Sequence, residues 1–180
     1  MKRDINSNGY IFLYSTILVV VVAVLLTLAA LWLQPYQQRN KENETRQMIL
    51  GAAGAAEDGE ITPAEGNMLA YYVNDTILVL PMVGNGLWGP IWGYLAIAPD
   101  GKTVLGARFD HKSETPGLGG EITTERFQSQ FSGKQFIRNG RMVPIEVDAI
   151  SGATKTSNGV QEMIDKTMQQ YALSTYYQQP

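Results

Sequence analysis

The sequence predicts an α+β domain of antiparallel strands with flanking helices, carried behind a single N-terminal transmembrane helix. Three observations predict it. Residues 10–33, "YIFLYSTILVVVVAVLLTLAALWL", hold no charge and no proline. From residue 69 onward, runs rich in β-branched and aromatic residues are separated by turn signals. Near the end, Val160, Met163, Ile164, Thr167, Met168 and Tyr171 recur with the period of a helix that buries one face. Hairpins with helices between and after them make an α+β arrangement.

Taken in order, the apolar run spans roughly 36 Å at about 1.5 Å per residue, enough to cross a hydrocarbon core of about 30 Å. Tyr10, Tyr14 and Trp32 lie toward its ends, where amphipathic rings sit at membrane interfaces. The run is too long for a signal peptide, and "LWLQP" offers no small-residue cleavage site, so an uncleaved anchor is expected over 10–33. Lys2 and Arg3 precede it and Arg39, Lys41 and Arg46 follow, so the positive-inside rule alone leaves its orientation open.

Residues 34–47 form a polar juxtamembrane spacer that turns helical toward "ETRQMILGAAGAA". The main domain is expected over 48–172, with tails at 1–9 and 173–180. "EDGEITPAEGN" reads as loop. "LAYYVNDTILVLPMV" reads as two strands turning at Asn74–Asp75. "IWGYLAIAPDGKTVLGARFDH" is a hairpin with its turn at Pro99-Asp100-Gly101. "ITTERFQSQFSGK" has helical spacing at Phe127 and Phe131, a threonine cap at its start and Gly133 at its end. "KQFIRNGRMVPIEV" is a second hairpin with Asn139-Gly140 at its tip, and Pro144 places its second strand at a sheet edge. Ser157 and Asn158 are candidate caps for the last helix.

Charge and composition exclude several classes of function. Beyond the anchor the chain carries 12 basic side chains (14 less Lys2 and Arg3) against 16 acidic ones (17 less Asp4). With no basic cluster, nucleic acid is excluded as a partner. The absence of cysteine removes disulfides, thiolate iron–sulfur ligation and thiol catalysis. A lone histidine, His111, argues against a zinc or copper site. Redox work by this chain would therefore require an organic cofactor.

Three stretches can carry chemistry. In "GNGLWGPIWGY", Gly84, Gly86 and Gly89 match a dinucleotide fingerprint, but Pro90 and a following strand deny it the helix it must open. Its indoles, Trp88 and Trp92, suit either core packing or a planar aromatic ligand. "HKSETPGLGGEI" must be a shaped loop whose backbone amides stay available, and within it His111 and Glu114 are possible acid–base partners. In "DAISGATKTSNGV", Ser151, Gly152 and Ala153 leave Thr154 with little cover just ahead of a helix. A helix amino end offers unpaired N–H groups and partial positive charge, a seat for phosphate, though a Ser/Thr-rich helix start also serves as an ordinary turn.

Together, "DAISGAT", "GLWGPIWGY" and "HKSETPGLGGEI" resemble the three signatures of the C subunits of Na+-translocating NADH:quinone reductases, in the family's order. The related G subunits of Rnf complexes share "ETPGLG" and the threonine. The resemblance implies an FMN-binding domain with FMN joined through its phosphate to Thr154, installed by a separate flavin transferase. It implies Asp148, Ser151, Gly152 and Ala153 as the rest of that motif. Glu114, Thr115, Gly117, Leu118, Gly119 and Trp88 are implied as further cofactor-binding residues. It also implies single-electron transfer from an iron–sulfur centre to the FMN of the B subunit, with the B, D and E subunits as the most direct partners. The domain would then lie on the outer face of the bacterial inner membrane. The family often places a basic residue near the flavin, for which Arg138 and Arg141 are candidates without a clear match. No Asp, Glu, Lys, Arg or His lies between Tyr10 and Leu33, so the anchor by itself offers no path for sodium.

Overall fold

The computed structural model describes residues 8–64, 69–138 and 141–176. Lys2 and Arg3, the Asn139–Gly140 tip, the end of the 57–67 loop and residues 177–180 lie outside them. The chain divides after Glu44 into a helical unit and a compact unit beginning at Thr45.

Helix α1, Asn8–Ala53, runs unbroken for 46 residues. The side chains of its apolar segment are all exposed, and the segment is long and apolar enough to cross a membrane. Thr16 and Thr27 donate their hydroxyls to the carbonyls of Phe12 and Ala23 one turn back, at 2.9 and 2.8 Å. Neither hydroxyl is left unpaired on an apolar face, where that would be costly. The expected spacer at 34–47 is helical throughout, and Pro35 lies inside the helix. Its Gln, Lys, Glu and Arg residues are good helix formers, which outweighs the one donor that Pro35 lacks.

The compact unit is built on a five-stranded antiparallel meander in which each strand pairs with its sequence neighbour. Its strands are β1 Ile61–Pro63, β2 Tyr71–Val73, β3 Ile77–Asn85, β4 Pro90–Ile97 and β5 Val104–His111. β1 falls where loop was expected: three residues carry no readable alternation, and pairing with β2 sets their conformation. Asn74 and Asp75 turn the β2–β3 hairpin at φ of 49° and 57°, a region that short polar side chains tolerate. In the β4–β5 turn, Asp100 accepts from the amides of Lys102 and Thr103 and from the Thr103 hydroxyl.

Alternation along the strands gives the sheet two apolar faces. Val73, Val79 and Ala96 pack against Ile49, Leu50, Ala52 and Ala53 at the end of α1. Leu80, Met82, Leu95 and Phe109 belong to the other core, shared with Val160, Met163, Ile164 and Met168 of α3, Thr154–Tyr176. The result is three layers, helix on sheet on helix. Every position of the expected apolar period in α3 is buried, and the helix continues four residues past the expected boundary at 172.

Between β5 and α3 the structure departs from expectation in detail. Instead of one helix, the chain winds through a 3₁₀ turn Gly119–Thr123, a short α2 Glu125–Gln128 and a second 3₁₀ turn Ser129–Phe131. Thr124 occupies the cap position but spends its hydroxyl on the Glu121 carbonyl. Phe127 and Phe131 pack edge to face at 5.6 Å and both meet Phe109. The apolar spacing served that cluster, and the backbone bent to satisfy it. The second hairpin is short: β6 Ile137–Arg138 and β7 Arg141–Met142 form a separate two-stranded sheet that ends before an exposed Pro144. Ser157 and Asn158 are not caps, because α3 already begins at Thr154.

Candidate functional site

Thr154 is the first residue of α3 and is exposed, whereas Ala153 before it is buried. Gly152 sits at φ 77°, a conformation that side chains resist, and it lets the chain turn sharply into the helix. The turn is closed by the Ala153 amide donating to the Ile150 carbonyl at 3.0 Å. From inside the first turn the Ser157 hydroxyl accepts from the Ile150 amide and donates to the Ala153 carbonyl. That first turn carries Lys155 and no acidic residue. The amino end of a helix, with its amide dipoles and a lysine next in sequence, is suited to a phosphate.

The "ETPGLGG" loop lies against this turn. Leu118, 42% exposed, packs over Gly152, where an added β-carbon would come within 3.0 Å of its side chain. Thr115 and Gly117 are exposed, and the Thr115 carbonyl gathers the amides of Leu118 and Gly120. The last residues of the loop wind into the 3₁₀ turn, so the segment is less irregular than its glycines suggest.

Glu114 points inward. It is 4% exposed, and its carboxylate accepts from the Trp88 amide at 2.8 Å and from the Thr156 hydroxyl at 2.6 Å. Burial pushes its pKa up, but the Thr156 hydroxyl and the amides of Trp88, Leu87 and Gly89 outweigh burial and hold it below the usual value. His111 is not its acid–base partner, because the ring Nδ1 accepts from the Glu114 backbone amide. Trp88 stands at the tip of the β3–β4 hairpin, 66% exposed, so core packing does not claim it. That tip closes through the Gly86 amide and the Gly89 carbonyl, and a strand rather than a helix follows.

Asp148, Ser151 and Gly117 line a cleft of about 550 Å³ together with Glu121, Arg126 and Gln130. The Gln130 side chain fixes its wall by accepting from the Asp148 amide at 2.7 Å. Arg126 adds a basic residue to this cleft. Arg138 lines a different groove, together with Lys134 and Glu146. Thr156 and Arg126 escaped sequence reasoning; the signal for Thr156 was a second threonine two positions after Thr154. No group of three or more potential metal ligands occurs among the described residues.

The family model described as an FMN-binding domain matches residues 86–169, which contain "GLWGPIWGY", "HKSETPGLGGEI" and "DAISGAT". The C subunit of the Na(+)-translocating NADH-quinone reductase from Vibrio vulnificus is 36% identical over 147 residues, covering 72% of this chain and 57% of that protein. The chain thus spans little more than half the length of that relative. A crystal structure of the corresponding C subunit from Parabacteroides distasonis aligns with a TM-score of 0.62 at 28% identity, over 78% of this chain and 95% of that one. Shewanella oneidensis NqrC shares the fold, with a TM-score of 0.57 at 22% identity over 76% of this chain and the whole of that one. In sequence and in fold the chain is similar to the C subunits of Na(+)-translocating NADH-quinone reductases, and its residues 86–169 match an FMN-binding domain.

Proposed function

We propose that this chain is the membrane-anchored flavoprotein subunit of a Na+-translocating NADH:quinone reductase, with FMN esterified to Thr154. The observation that carries the reading is the exposed Thr154 hydroxyl at the amino end of a 23-residue helix, with Lys155 beside it and no acid in the first turn. FMN bound there supplies reversible electron transfer, which a chain without cysteine lacks.

The chain's own residues fit the group in three ways. The amino end of the helix and Lys155, the next residue, bring positive charge to the phosphodiester monoanion that esterification at Thr154 leaves. Leu118 and Trp88 offer exposed apolar area for a planar ring, and such area is otherwise unfavourable at a surface. Arg126 and Gln130 in the adjoining cleft supply polar groups. The attachment itself is made by a flavin transferase. Electrons come from an iron–sulfur centre between neighbouring subunits and go to the FMN of the B subunit, with the D and E subunits as the other direct partners. On this reading α1 spans the bacterial inner membrane and the domain from 48 onward faces outward.

Co-expression of the full chain with a flavin transferase, followed by an SDS gel viewed under ultraviolet light, tests the assignment. A fluorescent band is expected for the wild type and none for Thr154→Ala. A dark wild-type band, or a fluorescent Thr154→Ala band, overturns it.

A further inference from the structure

Glu114 is a buried carboxylate that makes no ion pair among the described residues. Its partners come from two other segments: the β3–β4 tip, 26 residues upstream, and the first turn of α3, 42 residues downstream. Glycines seal the contact on both sides. A β-carbon at Gly86 would meet Glu114 Oε1 at 2.5 Å, and one at Gly119 would collide with Oε2 and lie 2.7 Å from Thr156 Oγ1. Two of the glycines that made these stretches look like ligand-binding loops therefore make room for a carboxylate.

Thr156 and Thr154 are two residues apart, about 200° around the helix axis at roughly 100° per residue. Thr156 is 1% exposed and Thr154 faces outward. Fixing the rotation of one fixes the direction of the other. The same carboxylate holds the Trp88 amide, and Leu118 lies four residues along the loop from Glu114. One side chain thus sets the relative positions of the tether, the exposed indole and the apolar lid over Gly152.

We infer that Glu114 and Thr156 form a latch that positions the seat of the flavin, acting on the bound group through Thr154, Trp88 and Leu118 rather than by touching it. The inference rests on Thr154 being the attachment site. It assigns Thr156 a role, and it makes Glu114 a positioning residue rather than a direct contact. Attachment and seating are then separable, because the hydroxyl at 154 survives when the latch is broken.

The test uses the full flavinylated chain in detergent, comparing wild type with Thr156→Val, which keeps shape and loses the donor, and Thr156→Ser, which keeps the donor. Ile164→Val, a core change distant from the latch, controls for general loosening. Each is read by gel fluorescence, by flavin fluorescence anisotropy and by iodide quenching in solution. Thr156→Val is expected to label normally on the gel, yet to show lower anisotropy and a several-fold higher iodide quenching constant. Thr156→Ser should match wild type, and Ile164→Val should change neither reading. Should Thr156→Val fail to fold, Glu114→Gln is read in its place against the same control. Wild-type anisotropy and quenching in the latch variant, or an equal shift in Ile164→Val, overturns the latch. A dark wild-type gel band would instead overturn the attachment site, and that result is known before iodide is added.

Discussion

Gly159 lies in α3 with its Cα against the end of β3, and substitution there tests how closely helix and sheet meet. An added β-carbon would collide with the Asn85 carbonyl oxygen, lie 3.2 Å from its carbon, and touch the Ile91 side chain at 3.5 Å. The obstacle is backbone of the β3–β4 hairpin, so no rotamer change relieves it. Alanine gains about 0.8–1.0 kcal/mol over glycine in a helix interior. Overpacking costs about 1–3 kcal/mol, with the upper half expected where backbone must move. Gly159→Ala should therefore lose about 1–2 kcal/mol net. Gly51→Ala in α1 is the contrast: its β-carbon would meet only the Arg108 side chain, at 3.0 Å, and that chain can yield. There the helix gain should survive, leaving the variant neutral or up to about 1 kcal/mol more stable. At about 3–5 °C per kcal/mol for a domain of this size, thermal unfolding followed by circular dichroism resolves the two. Equal melting temperatures for Gly159→Ala and Gly51→Ala would refute the close approach of α3 to the hairpin.

Two further outcomes follow from the structure. Glu114 has a folded pKa below the ordinary 4.5, so its stabilisation is present above that value and is lost as pH falls through the folded one. The stability gap between wild type and Glu114→Gln, measured by urea unfolding, should thus be widest at neutral pH and narrow below about 4.5. A gap that widens on acidification would contradict the hydrogen bonds drawn to that carboxylate. Phe131, fully buried between Phe109 and Phe127, should cost about 3–5 kcal/mol when replaced by alanine, the range for large core truncations. A loss under about 1 kcal/mol in the same urea titration would show that the ring cluster is not packed as described.

What was legible in the sequence was local. The α3 period, the Asn74–Asp75 and Pro99–Gly101 turns and the apolar helix each depend on neighbours within a few positions, and each is present. The helical character of residues 34–47 was also within reach, since Gln, Arg, Lys and Glu make up most of the run. What escaped depends on distant partners. β1 exists because β2 pairs with it. The segment around Phe127 breaks into short turns because three rings must converge. At the site, the three stretches were visible as stretches, but not that a carboxylate joins them. Thr156 reads as a surface threonine until the chain 42 residues upstream is folded beneath it.

The order of events during synthesis follows from the same separations. Hairpins between adjacent strands close over a few residues, at little entropic cost, and need nothing further along the chain. The contact between Glu114 and Thr156 needs the last helix to have emerged and docked, so it belongs to the final stage of folding. If Thr154 carries the flavin as proposed, a chain loaded before that contact closes would glow like free dye, and would dim and stiffen only on completion. Its emission would then time the last step of its own folding.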